Sequence, residues 1–391
     1  MDPVVVEITP PIHQKPSSFK KQKQTVFYDV NDHEGETSCK RRSKGKAVVP
    51  PGLTTITDEP ENETLKKLRL FKQFDIVVDT SDHHYVNNNS SMKHTWAKKI
   101  QQEWKILEKH LPETIFVRVF ESRMDLLRAV IIGAEGTPYH DGLFFFDVFF
   151  PSGYPNEPPK VYYHAGGLRL NPNLYASGKV CLSLLNTWFG RKKEKWTPGV
   201  STMLQVLVSI QGLILNTKPY FNEPAYAKTS GTQNGEAQSL KYNENKFILS
   251  VRTMMYRIKK PPKNFEELVV GHFYSRAHDI LASCKAYMEG VQVGCFVKGG
   301  VRDVAKGGRK SSDKFKADLL GFVKLLVQQF ETLGVKDCEK CISLTPPGST
   351  LKPSPLKLTT PKPTPLKLTT PKPTPPKQTP LKKLFTCFFK T

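Results

Sequence analysis

One cysteine of this 391-residue chain, Cys181, stands where its thiol could carry acyl-transfer chemistry. It follows the turn Asn171-Pro172-Asn173 by a short fixed step, 181 − 173 = 8 residues from Asn173. Pro172 fixes its own φ and restricts Asn171, so Asn173 is presented from a rigid corner. The Asn173 amide brings two N–H donors, suited to holding an oxyanion that develops on an acyl group attached to sulfur. Val180, Leu182, Leu184 and Leu185 flank the cysteine with apolar side chains that would hold its backbone against a core. No His or Asp stands close by in sequence as a general base. Protease chemistry needs such a base, whereas a thiol that receives an activated acyl group from another thioester needs less help. A buried structural thiol is the competing reading, because free cysteines are often buried.

The elements that must position this stretch are legible on both sides of it. Residues 91–111 predict a helix, with Trp96, Ile100, Trp104, Leu107 and Leu111 on one apolar face. Strand-like runs follow at 115–120, 126–133, 142–150 and 160–164, rich in β-branched and aromatic residues with Gly and Pro between them. They predict a four-stranded antiparallel meander. In the third run Leu143, Phe145, Asp147 and Phe149 alternate with Phe144, Phe146, Val148 and Phe150, so both faces are apolar except at Asp147 and the strand is central. Pro155, Pro158 and Pro159 force an extended loop. After the cysteine, 199–215 reads as a buried helix whose inward side carries Leu204, Leu207, Val208, Gln211 and Leu215. Further helices are expected at 237–258, ended by Pro261-Pro262, at 265–290 as one or two, and at 313–333. Leu65, Leu68, Phe71 and Phe74 lie at near-helical spacing in 64–79, a segment expected to dock back on the folded domain.

Residues 133–161, GAEGTPYHDGLFFFDVFFPSGYPNEPPKV, then Asn-Pro-Asn, then Cys181, then Trp196-Thr197-Pro198, resemble the ubiquitin-conjugating enzymes in order and spacing. The resemblance covers roughly 95–226. The following YNENKF…PPKNFEELVVGHFYSRAHDIL looks like the extension of large hybrid conjugating enzymes that also act as ligases, and FKQFDIVVDTSDHHY resembles the plant members of that group. The resemblance implies an α+β ubiquitin-conjugating (UBC) fold with an N-terminal helix and C-terminal helices. It implies that Cys181 takes ubiquitin from an activating enzyme as a thioester and passes it to lysine of protein substrates, with built-in ligase character or a separate ligase. It assigns Glu223, with Asn222 beside it, to the loop whose acidic residue assists the incoming lysine. No cofactor is implied, since ATP is consumed upstream by the activating enzyme. The first helix, with Lys98 and Lys99, falls where that enzyme docks.

Four departures from the family pattern stand out. Asn171 replaces the His of the usual His-Pro-Asn turn, and Ser183 stands where an Asp is usual. Asn156 takes a loop position where many members carry a large apolar residue for docking RING or HECT ligases. Residues 189–195 insert a basic loop with Arg191, Lys192, Lys193 and Lys195, for which three readings stand: steering of acidic substrates, gating of the thioester, or an inert insertion.

Composition bounds the rest. The chain has 58 Lys+Arg against 36 Asp+Glu, a formal charge of +22, so acidic partners or a nuclear address are expected. Five parts are expected: a disordered basic tail over 1–62, a linker or docking segment over 63–90, a conjugating core over 91–260, a helical extension over 261–344, and a disordered Pro/Lys/Thr repeat tail over 345–391. Lys40 to Lys46 is a candidate import signal. Seven scattered cysteines, no signal peptide and no stretch of membrane-spanning length imply a reducing compartment, cytoplasm or nucleus. No metal site is expected, because Cys338-x-x-Cys341 lacks a second pair and His272, His278 and Cys284 do not keep to one helix face. Two other functions compete: a non-catalytic ubiquitin-binding scaffold on the same fold, and a basic nucleic-acid-binding protein. The cations lie largely in tails without interleaved aromatics, so no specific nucleic acid is expected.

Overall fold

The computed structural model describes residues 62–88, 94–297, 300–301 and 310–342. The expected tails, the candidate import signal and the Pro/Lys/Thr repeats lie outside the described residues, Asn62 apart. At the centre is one sheet in the order β1-β2-β3-β4-β5, formed by Phe74–Val77, Ile115–Phe120, Leu126–Ile132, Leu143–Phe149 and Lys160–Tyr163. Strands β2 to β5 form the expected antiparallel meander. The sheet has a fifth strand, however, because β1 pairs parallel to β2 with Phe74 opposite Val117.

The extra strand corrects the sequence reading of 64–79. Helix α1, Glu63–Leu70, is capped by the Asn62 side chain on the Thr64 N–H and stops at Phe71, whose backbone is extended (φ −72°, ψ 110°). The helical spacing of Leu65, Leu68, Phe71 and Phe74 ran across that boundary. Beyond it the β-branched Ile76, Val77 and Val78 favour a strand. Leu68 and Phe71 still pack on the extension helices.

The two faces of β4 explain the layers. All seven of its residues are buried. Phe144, Phe146 and Val148 pack with Trp96, Ile100 and Leu107 of α2 (His94–His110) and with Met203, Val206 and Leu207 of α3 (Met203–Ser209). Leu143 and Phe145, with Val130 of β3, meet the other side. There they pack on α5 (Gln233–Lys259), α6 (Glu266–Met288) and α7 (Asp313–Thr332), reached after the single turn α4 (Pro224–Ala227). The 265–290 segment is therefore one helix, and α5 shares its core with α6 and α7. Fully burying each such apolar side chain contributes about 1.5–3 kcal/mol.

The helix expected over 199–215 is shorter and irregular. Thr202 caps α3, accepting from Gln205 N while Gln205 Oε1 accepts from Thr202 N. After Ser209 the chain widens into a π turn, Ile210–Ile214. Gln211 is half-buried and donates to Thr114 Oγ1 at 2.6 Å instead of packing inward.

Two buried carboxylates tie the layers. Asp147 sits opposite Arg128 in the β3–β4 register, and the guanidinium grips it at 2.6 and 2.9 Å. Burial alone would raise the Asp147 carboxyl, but Arg128 and His164 hold it far below the usual carboxylate range. His83 beside them is neutral. Burial lowers its pKa, its Nδ1 accepts from Tyr85 N, and its Nε2 lies 3.1 Å from the Leu127 carbonyl. Asp141 joins the β3–β4 connection to α6. His140 Nδ1 and Arg276 Nε each lie 2.8 Å from its carboxylate, and His272 Nε2 lies 2.8 Å from its backbone carbonyl. The Tyr287 hydroxyl accepts from Gly294 N and lies 3.0 Å from His140 Nε2.

Burial would push the Asp141 carboxyl up, yet the hydrogen bond and charge of His140 and the charge of Arg276 hold it at about 2. Its folded-state pKa is thus below the unfolded one, so this stability is fully present above about pH 4 and lost as pH falls towards about 2. Asp141→Asn keeps the shape and suits the left-handed backbone (φ 62°) while removing the charge. It is expected to cost about 2 kcal/mol in urea unfolding at pH 7 and clearly less at pH 3. Equal costs at both pH values would contradict the assignment.

Candidate active site

Cys181 is held by its neighbours' backbone before any chemistry is considered. Its N–H donates to the Asn173 carbonyl at 2.9 Å, and the Asn173 side-chain amide donates back to the Cys181 carbonyl at 2.9 Å. Thr187 splints the same stretch: its hydroxyl donates to Val180 O at 2.7 Å and accepts from Leu182 N at 3.0 Å. Val180, Leu182 and Leu185 anchor in the core as expected. Leu184 is half-buried against it.

The turn before the cysteine is anchored from below. Asn171 is fully buried, and its side-chain oxygen Oδ1 accepts from Asn173 N at 2.9 Å. Its amide donates to Tyr139 Oη at 2.8 Å and to the Ile214 carbonyl at 2.7 Å. Ile214 ends the π turn after α3, where carbonyls lose their helical partners. The asparagine in place of the usual histidine therefore caps a helix end and shapes the cysteine turn at once. Asn222 donates to the same Ile214 carbonyl at 3.1 Å and accepts from Asn216 at 2.7 Å.

The predicted site residues therefore separate into three kinds. Asn173 is in place beside Cys181, with one amide N–H committed to the Cys181 carbonyl and a second left to donate elsewhere. Glu223, half-exposed before α4, is close enough for its charge to act on the thiol. Asn222 has both ends of its amide engaged in the Ile214–Asn216 turn.

Cys181 is itself only 1% exposed. Burial pushes its thiol up, while Lys179, the Tyr175 hydroxyl and Arg169 pull it back and Glu223 adds to the rise. No imidazole is among these four groups. Arg169 and Lys179 lie over the Tyr175 ring at 4.6 and 5.8 Å, so the three form one basic, aromatic shelf beside the sulfur. Sequence reasoning missed Thr187, Tyr175, Arg169 and Lys179. Their roles depend on how the loop folds back, although Lys179 and Tyr175 stand near enough in sequence to have been considered.

Cys284, His272 and His278 have structural surroundings. Cys284 is buried and its thiol is raised to about 12, by burial and then by the charge of Asp141. His272 and His278 each bond a backbone carbonyl, of Asp141 and Lys336 respectively. No helix of the described residues is long and apolar enough to cross a membrane.

A family model described as ubiquitin-conjugating enzyme matches residues 99–254. The chain is 59% identical over 273 residues to the putative ubiquitin-conjugating enzyme E2 38 of Arabidopsis thaliana, covering 69% of this chain and 84% of that protein. It is 55% identical over 300 residues to the probable ubiquitin-conjugating enzyme E2 26 of Arabidopsis thaliana, covering 75% of this chain but 55% of that protein, about half its length. Human BIRC6, named a dual E2 ubiquitin-conjugating enzyme/E3 ubiquitin-protein ligase, is 39% identical over 272 residues, 64% of this chain and 6% of that protein.

The shelf makes a direct electrostatic prediction. Alkylation of Cys181 by iodoacetamide, followed by peptide mass mapping against pH, should shift to higher pH in Lys179→Glu. The rate at pH 7 should fall several-fold, because a carboxylate there disfavours the thiolate. An unshifted profile would show that the Lys179 charge does not reach the sulfur.

Proposed function

The chain belongs to the ubiquitin-conjugating enzyme family, and on that premise we propose that Cys181 carries ubiquitin between an activating enzyme and a substrate lysine. The observation that carries the proposal is the reciprocal clamp of Cys181 and Asn173, with an amide donor next to a thiol that no imidazole among the described residues serves. In the first step the Cys181 thiolate attacks the thioester carbonyl of ubiquitin on the activating enzyme. The enzyme's thiolate leaves, and the acyl group now sits on Cys181. One thioester replaces another, so the step needs no strong base. ATP is consumed upstream, and neither step at Cys181 needs a cofactor.

In the second step a neutral lysine amine attacks the Cys181 thioester. The carbonyl oxygen becomes an oxyanion, to which the remaining Asn173 N–H donates. The carbon–sulfur bond then breaks, an isopeptide bond remains and the amine loses a proton. Glu223, on the loop beside the thiol, is the carboxylate nearest in role to receive that proton or to orient the amine. Asn222 acts through the turn that holds the loop.

The reading includes built-in ligase character. It is supported by the similarity to the human dual enzyme, which runs over 272 residues and so beyond the 99–254 stretch of the family match. Transfer to a protein substrate by the full chain, with no RING or HECT protein added, tests this part.

The core reading is tested with activating enzyme, ATP and ubiquitin. A reductant-sensitive adduct should form and should be absent in Cys181→Ala; an adduct that persists would overturn the assignment. Asn173→Ala should charge nearly normally and then discharge onto lysine about 10²–10³-fold more slowly in a single-turnover chase. Unchanged discharge by folded Asn173→Ala would remove the amide from the second step.

A further inference from the structure

The insertion at 189–195 is built into the cysteine loop. Its root is pinned by Ser183, two residues past Cys181, whose hydroxyl donates to Phe189 O at 2.6 Å. Its exit is pinned by Trp196, buried, whose indole N–H donates to Pro155 O at 2.7 Å. Between these pins runs a single 3₁₀ turn, Lys192–Glu194. The loop's one carboxylate, Glu194, turns onto the loop itself and accepts from Arg191 N at 2.9 Å.

What this fixed loop displays is charge of one sign. Arg191, Lys192, Lys193 and Lys195 are all exposed, and Arg169 and Lys179 are exposed on the shelf at the thiol. Among the described residues none of these six cations pairs with a carboxylate, whereas Lys67, Lys72, Lys218 and Lys263 elsewhere each do. The loop also holds the Phe189 ring 85% exposed, beside Trp188. A loop that served only solubility would gain nothing by keeping an aromatic ring in water next to its charges. Ring and cations together form a recognition surface.

From this geometry we infer that the site selects acceptor lysines lying in acidic segments of the substrate, read by the 189–195 loop together with Arg169 and Lys179. The inference rests on the transfer role proposed for Cys181 and names the substrate class of that same site. An isolated cationic lysine is repelled by such a rim, and carboxylates next to it in the acceptor reverse the sign of the encounter. Screening limits this reading to about 8 Å at physiological salt, so the acidic residues must be close neighbours of the acceptor lysine. At the sulfur itself Lys179 and Arg169, whose charges reach the thiol, disfavour the charged form of the amine and so favour the attacking neutral form.

The test uses the full chain charged with ubiquitin and two acetylated peptides with one central lysine, flanked by Glu in one and Gln in the other. Single-turnover discharge should be about tenfold faster onto the Glu peptide at low salt, with the advantage collapsing at high salt. The triple change Arg191→Glu, Lys192→Glu, Lys193→Glu should abolish or invert the Glu/Gln ratio, which is read within each variant and so is independent of any general loss of activity. Lys357→Glu, Lys362→Glu, Lys367→Glu alters net charge equally and should leave the ratio unchanged. Equal rates on the two peptides, or a ratio that survives the loop reversal, would overturn the inference. Should the chain take no ubiquitin, the transfer role itself fails. Anisotropy of the fluorescein-labelled peptides on the uncharged protein then decides the recognition alone. Tighter, loop-dependent binding of the Glu peptide supports it, and equal binding of the two peptides refutes it.

Discussion

A strand apolar on both faces cannot sit at the surface of a protein, and β4 is such a strand. The sheet must therefore be covered twice. Helices α2 and α3 cover one side, and α5, α6 and α7 cover the other, over Val130, Leu143 and Phe145. The C-terminal helices are thus part of the folded unit and not an appendage to it. Removing them would bare two or more large apolar side chains of the sheet, at about 1.5–3 kcal/mol each. Any role of these helices in transfer has to be probed by surface substitutions that leave the sheet covered.

The cysteine hangs from the same frame by a short series of hydrogen bonds. Tyr139, buried under the sheet's connection, accepts from Asn171, and Asn171 accepts from the Asn173 N–H. Asn173 then clamps Cys181 at both backbone ends. The π turn after α3 feeds this series, because its last carbonyl, Ile214, is where Asn171 and Asn222 converge. Thus the irregular end of one helix, unremarkable as packing, fixes the position of the sulfur. The field around that sulfur comes from surface groups, Lys179, Tyr175, Arg169 and Glu223, which can change without disturbing the frame.

Much of this was legible in the sequence, for physical reasons that differ by element. Helix α2 announced itself because burial imposes a period of 3.6 on a long apolar run, and strands β2 to β5 by β-branched and aromatic runs with Gly and Pro between them. The centrality of β4 followed from its two apolar faces, and Asp147 was visible as the one exception. The partner, Arg128, was not legible, because it is set by cross-strand register. Strand β1 was misread since four apolar residues kept helical spacing across a helix end. The π turn was invisible, as no residue type demands it. Asn171 was visible as a departure from the usual turn, but which carbonyl it meets depends on where α3 ends. For Asn222 the sequence position suggested proximity to the chemistry, while the structure engages its amide within the supporting turn.

The central claim is that one thiol, fixed between Asn173 and Thr187, carries the acyl group. Its most direct test is to charge the wild-type chain with ubiquitin, digest it under acidic, reductant-free conditions and map the modified cysteine by mass spectrometry. The account predicts a single ubiquitin, on the peptide that contains Cys181. Ubiquitin on Cys39, Cys284, Cys295, Cys338, Cys341 or Cys387 would contradict it.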